Sequence, residues 1–153
     1  MIHSIEICNT DVYKSVERET SQNFRAIRTS QGSESNIDAN YADMVVMPED
    51  DCALYEQLQL IIPSIYQEIK GYTTEFFVSD TKYGFTVEAQ DENASAILKP
   101  LFEKIVAYNL LAWWYNLRMP ELAQQYLAMS AEILSAIKSV VIPRFGTRKL
   151  RMI

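Results

Sequence analysis

The chain has 153 residues, of which 48% are hydrophobic and 22% charged, a composition typical of one globular domain with a hydrophobic core. Its one histidine is His3, and its two cysteines, Cys8 and Cys52, have no second cysteine or histidine at metal-ligand spacing, so the sequence disfavours zinc sites and Cys/His or Ser-His-Asp catalysis. It also contains no apolar run of the roughly 18 residues that a membrane span needs, and no recognisable signal peptide. We therefore expect a soluble intracellular protein without a metal or cofactor.

The net charge of −6 conceals an uneven distribution. The segment 138–153 contains five bases and no acid, which leaves 9 bases and 20 acids in the rest of the chain. Between Arg28 and Lys70 there are eight acids and no base. This acidic stretch is the natural electrostatic complement of the basic C-terminal segment.

The first part of the chain predicts an arm, a helix and a loop. Residues 1–9 form an N-terminal arm in which a short apolar alternation permits either a strand or an extended segment. Asn9, Thr10 and Asp11 then offer capping oxygens for a weakly amphipathic helix over about 10–28. Residues 29–47 are acidic and rich in Ser and Asn, which favours a long polar loop, and loops of this length are often functional or contact a partner.

A second helix is predicted over 48–70, because Pro48 and the acids after it suit a first helical turn. Its apolar residues recur every three or four positions, and we expect Pro63 to kink or divide it. From residue 73 to 89 the apolar period becomes two, with a turn at 79–82, which predicts a β-hairpin.

Two further helices are predicted, one over about 94–117 with a bend at Pro100 and one over 120–141, joined by a tight turn into an antiparallel pair. Pro143 ends helical structure and leaves a basic tail, 143–153. The predicted fold is a single mainly α domain over residues 1–153: a helical bundle with one β-hairpin and extended N- and C-terminal arms.

Candidate functional residues also have ordinary structural explanations. Glu49, Asp50 and Asp51 could hold a hard cation, but they lack the spacing of a calcium loop, and stabilisation of a helix start explains them better. Glu103 with Glu121 or Glu132 could form a catalytic carboxylate pair, yet exposed helix positions explain these residues more simply.

Three consecutive aromatic residues, Trp113, Trp114 and Tyr115, span nearly 200° of a helix, so they cannot all face one core. We assign Trp113 to the core and Trp114 or Tyr115 to a possible interface. The alternative is that the chain's own hairpin covers this second face.

The basic tail is the most distinctive feature of the sequence. It interleaves bases with apolar residues, and its candidate interface residues are Arg144, Phe145, Arg148, Lys149 and Arg151. Three partners remain open for it: the acidic stretch of the same chain, with Glu49, Asp50 and Asp51, the same stretch of a neighbouring subunit, or the phosphates of DNA.

The order of these elements resembles a known family. The segment LLAWWYNLRMPELAQQYLAMSAEILSAIKSVV followed by PRFGTRK, with the hairpin TEFFVSDTKYGFTVEA before it, is similar to the small helical head–tail connector (adaptor or ring) proteins of tailed bacteriophages, especially those of Bacteroidetes. The likeness covers about residues 48–153 and is one of pattern and order.

The resemblance implies a structural virion protein without catalysis. It implies a homo-oligomeric ring of about a dozen copies at the portal, made in the bacterial host cytoplasm, in contact with portal and tail proteins and with DNA passing through its channel without sequence-specific binding. The alternatives are a small nucleic-acid-binding regulator or a protein-interaction module that uses the same tail. An enzyme is disfavoured because the sequence offers no nucleophile–base pair and no cofactor motif.

Overall fold

The computed structural model describes residues 2–31 and 44–142. Its elements are, in chain order, β1 (Ile2–Cys8), α1 (Asn9–Gln31), a 3₁₀ turn (Pro48–Asp50), α2 (Asp51–Ile69), β2 (Thr73–Val78), β3 (Lys82–Glu88), α3 (Ala94–Tyr115) and α4 (Pro120–Val140). The protein is mainly α-helical with a small three-stranded sheet, as the sequence predicts. The tail 143–153 lies outside the described residues, as does most of the predicted 29–47 loop.

The N-terminal arm is a sheet strand. β1 pairs antiparallel with β3, which also pairs antiparallel with β2, so β3 is central and β1 is an edge. Ile5 lies opposite Phe85 and Ile7 opposite Tyr83. The sequence left open whether the arm pairs with anything, because its partner strand lies about 80 residues away along the chain.

The hairpin confirms the predicted period of two. Tyr83, Phe85, Val87 and Ala89 are all buried, and they form one face of the sheet against the helices. At the turn, the Ser79 N–H donates to the Lys82 carbonyl at 2.8 Å. The pairing with β1 gives the hairpin the third strand that an isolated hairpin lacks.

Two helix predictions need correction. Helix α1 continues to Gln31, three residues beyond the expected end, because Gly32 is the first residue that opposes helix formation there. Of the two effects expected of Pro63, a kink or a division, the division does not occur, because α2 is one continuous helix from Asp51 to Ile69. An internal proline costs about 3 kcal/mol, but Ile62 and Ile65 on either side are buried, and each such side chain contributes about 1.5–3 kcal/mol, which offsets that cost.

Helices α3 and α4 form the predicted antiparallel pair at the centre of the core. Their contacts run in opposite directions along the two helices: the rings of Tyr115 and Tyr126 are stacked at 6.0 Å, and Asn109 Nδ2 donates to Ser130 Oγ at 2.9 Å. Helix α3 is buried on several sides, since the sheet, α1, α2 and α4 all contact it. Phe102 of α3 stacks on Phe85 of β3 with ring centroids 4.7 Å apart.

Candidate functional site

An acidic patch lies where the 3₁₀ turn and the start of α2 meet α1. We define it as Glu17, Glu49, Asp50 and Asp51. The Asp50 carboxylate accepts a hydrogen bond from the Met47 N–H at 2.9 Å, and the Asp50 N–H donates to the Met47 carbonyl at 2.9 Å. These bonds fix the turn that begins the helix, so the predicted role of the acids at a helix start is confirmed.

Two carboxylates of the patch, Asp51 and Glu17, have a raised pKa. Partial burial raises the pKa of Asp51, and the charge of Asp50 raises it further. Partial burial also raises the pKa of Glu17, with Asp51 adding to the effect and Lys14 opposing it. Within residues 2–31 and 44–142, none of the four patch carboxylates forms an ion pair. Lys14 and Arg18 line a groove with Glu17, so four carboxylates stand against two bases and the patch is net negative.

A buried tyrosine lies beneath this patch. Tyr13 of α1 is 6% exposed, and its hydroxyl has no hydrogen-bond partner among the described residues. The Oδ1 atom of Asp51 is also buried without a partner there. Burial and then the charge of Asp51 raise the pKa of Tyr13 to about 12. Two polar atoms at the base of the patch are thus left unsatisfied, an arrangement that costs free energy unless a donor reaches them.

The Trp cluster is arranged differently from the expectation. Trp114 and Tyr115 are buried, at 4% and 1% exposure, whereas Trp113 is only half-buried. The Trp114 indole N–H donates to the Met44 carbonyl at 3.0 Å, and the Arg118 guanidinium lies 3.8 Å from its ring centroid. The spacing of apolar residues in α3 could not predict the burial of Trp114, because the residue that covers its indole, Met44, lies about 70 positions earlier in the sequence. Trp114 belongs to the chain's own core, and little of it remains for another molecule.

Of the other predicted site residues, Arg144, Phe145, Arg148, Lys149 and Arg151 lie outside the described residues. Glu103 lies in a cavity of about 160 Å³ between α1 and α3, where it accepts a hydrogen bond from Ser15 Oγ at 3.4 Å and shares the lining with Glu19. Glu121 and Glu132 are exposed on α4 and do not line that cavity.

A polar network that the sequence did not predict joins α1 to the α3–α4 pair. Asn23 Nδ2 donates to the Tyr126 hydroxyl at 2.6 Å and to the Tyr115 hydroxyl at 3.3 Å, and the Tyr126 hydroxyl donates to Glu19 at 3.0 Å. The only indication of this network in the sequence was the presence of polar residues, Glu19 and Asn23, on the narrow apolar face predicted for α1. The network satisfies its own members, which is typical of a structural device.

The described residues contain neither a metal cluster nor a membrane span. No group of three or more His, Cys, Asp or Glu side chains among them could hold a metal ion. Within the same ranges, no helix has the length and apolarity required to span a membrane. Cys8 and Cys52 are exposed free thiols.

Comparison of the chain with protein-family models, curated protein sequences and solved structures finds no match. Its function has therefore to be inferred from its own residues and their geometry.

Proposed function

We propose that this chain is a structural assembly protein: a head–tail connector that forms a ring at the portal of a tailed bacteriophage, without catalysis. The separation of charge carries the proposal. An acidic patch with no ion-pair partner among the described residues lies on the folded body, and the tail holds Arg144, Arg148, Lys149 and Arg151. Opposite charges on a body and on a flanking segment allow copies to be linked and oriented without a large flat interface.

The net-acidic body suits a channel through which DNA moves. A surface that repels phosphates does not retain the duplex, whereas a DNA-binding regulator needs a basic surface. In this proposal the protein is part of the virion, and its neighbours are further copies of itself and the portal and tail proteins.

The test is to replace Arg144, Arg148, Lys149 and Arg151 together by serine. We expect the wild-type protein to assemble in sedimentation experiments at low salt, and the tail variant to remain monomeric with an unchanged circular dichroism spectrum. A control that removes positive charge from the folded body replaces three exposed lysines, Lys70, Lys99 and Lys104, by serine and should still assemble. Equal assembly of the tail variant and the wild type would contradict the proposal.

DNA-binding measurements on the wild type and the tail variant distinguish the connector from a nucleic-acid-binding protein. If the tail binds phosphates, wild-type affinity for a DNA duplex falls steeply as salt rises, and the tail variant loses it. The connector proposal instead expects DNA binding to be weak in both proteins.

A further inference from the structure

We propose that the acidic patch is the receptor for the basic segment 144–151 of a second copy of this chain. The inference rests on the proposed function and deepens it, because it names the surface that the tail binds and the molecule to which that surface belongs. Three observations support it: net negative charge, buried unpartnered atoms, and the reach of the tail.

The first observation is the charge of the patch. Glu49 is exposed, and Glu17, Asp50 and Asp51 are partly buried beside it, with no ion-pair partner for any of them within residues 2–31 and 44–142. Lys14 lies close enough to Glu17 to oppose its raised pKa. Arg18 lines the same surface groove as Lys14 and Glu17. Four carboxylates against these two bases still leave a net negative surface, which is complementary to a segment with four bases and no acid.

The second observation is unsatisfied hydrogen bonding. The Tyr13 hydroxyl and Asp51 Oδ1 are both buried beneath the patch, without partners among the described residues. A guanidinium presents five N–H donors in a planar fork that matches a carboxylate, and both atoms can accept from it. Both atoms have almost no solvent-accessible surface, so an arginine contacts Asp51 Oδ1 only after the Asp51 side chain turns outward. The hydrogen bond formed in that position gives this oxygen the donor that it lacks.

The third observation is the distance between the acidic patch and Ile142, the last described residue before the tail. Helix α2 starts at the patch with Asp51 and ends at Ile69, so the patch and Ile69 are separated by about 27 Å of helix. The described part of the chain ends at Ile142, whose N–H donates to the Glu88 carbonyl at 2.8 Å. Glu88 follows Val87, which pairs with Thr73, and Thr73 Oγ1 donates to the Ile69 carbonyl at 3.3 Å. Ile142 therefore lies at the end of the molecule opposite the patch.

The reach of the tail follows from its length. Fully extended chain covers at most about 3.6 Å per residue, so from Ile142 the Cα atom of Arg144 reaches about 7 Å, that of Arg148 about 22 Å and that of Arg151 about 32 Å. Arg144 falls far short of the patch, and Arg148 approaches it only with the segment pulled straight. Arg144 therefore cannot reach the patch of its own chain, and the bases after it reach that patch only when nearly the whole intervening segment is extended, which costs conformational entropy. The tail of another copy has no such restriction, and we therefore assign it as the occupant of the patch.

The direct test uses a labelled peptide of residues 143–153 and the monomeric tail variant, whose patch is intact. We expect fluorescence anisotropy to show binding that weakens as salt rises. Replacing the patch residues conservatively, Glu17→Gln, Glu49→Gln and Asp51→Asn in the tail variant, should weaken binding at least tenfold. Asp50 is left unchanged because it caps the turn at Met47.

A matched control has the same change in net charge elsewhere. Glu68→Gln, Glu92→Gln and Glu121→Gln neutralise three exposed carboxylates outside the patch, and this variant should bind the peptide as the unsubstituted protein does. Equal weakening by the two triple variants would overturn the inference, because binding would then follow overall charge. Undiminished binding to the patch variant would overturn it as well.

A mixing experiment tests whether the contact joins two copies. The tail variant and a full-length patch variant with an intact tail should each be monomeric alone. In the mixture, the intact tail of the patch variant can bind the intact patch of the tail variant. Sedimentation should then show a species of twice the 17.6 kDa chain mass. Persistence of monomers in the mixture would overturn the inference.

The same experiments distinguish this inference from the proposed function. Paired copies without closed rings would support the tail–patch contact and contradict a ring-forming connector. Rings formed equally well by the patch variant would support the connector and overturn the patch as its receptor.

Discussion

At the scale of single residues, Gly84 in the central strand β3 shows how closely the sheet is packed. A Cβ atom at this position would lie 2.5 Å from the Ile5 carbonyl oxygen of β1 and 2.5 Å from the Phe77 ring. The carbonyl belongs to the backbone and cannot rotate away, so any larger residue must displace the edge strand. Gly84 is thus required by contact with a strand about 80 residues earlier.

We therefore expect Gly84→Ala to destabilise the protein by about 1–3 kcal/mol, the range typical of overpacking. The measurement is urea unfolding followed by circular dichroism. Gly71 is the control, because a Cβ atom added there would have no neighbour within 4 Å, and Gly71→Ala should have a much smaller effect. Equal effects of the two substitutions would contradict the close packing of β1 on β3.

At the scale of elements, the tyrosines join the helices through buried hydroxyls. Tyr13 lies between α1 and α2, whereas Tyr115 and Tyr126 join α3 and α4 to Asn23 of α1. Burial raises the pKa of all three hydroxyls above the ordinary value, and that of Tyr13 to about 12. In the unfolded chain a tyrosine ionises near pH 10.

The raised pKa values predict loss of stability at alkaline pH. A group whose folded pKa is raised contributes its full stability below the unfolded pKa and loses it as pH rises toward the folded value. The free energy of unfolding should therefore fall between about pH 10 and 12. Tyr13→Phe should change stability little at pH 7, since it removes an unpartnered hydroxyl, and should make the alkaline fall shallower. The same alkaline slope in both proteins, measured by urea unfolding, would contradict this.

The elements also show what sequence could and could not predict. The hairpin, the helix start at Pro48 and the α3–α4 pair follow from local periods and turn residues, and the structure confirms them. The pairing of β1 with β3, the burial of Trp114 under Met44 and the Asn23 network depend on contacts between distant residues. Local patterns carry no information on such contacts. Likewise, the three consecutive patch acids were visible in the sequence, but Glu17 and Tyr13 joined them only through packing of α1.

At the scale of the whole molecule, the acidic patch and the point where the described chain ends lie far apart. The acidic patch is at the start of α2, and the chain departs toward its basic tail near the end of that helix. In the proposed contact, the tail of one copy and the patch of the next are different surfaces. Contacts between unlike ends are heterologous, and they form closed rings when the rotation from one copy to the next divides a full turn. The proposed contact is therefore of the type that the proposed ring requires.

The central claim is that copies of this chain assemble into a ring, and electron-microscope images of the concentrated, purified protein at low salt test it most directly. We predict closed rings with a central hole for the wild type and single small particles for the variant with Arg144, Arg148, Lys149 and Arg151 replaced by serine. Single particles of one-chain size for the wild type at every concentration, or rings for both proteins, would contradict the claim.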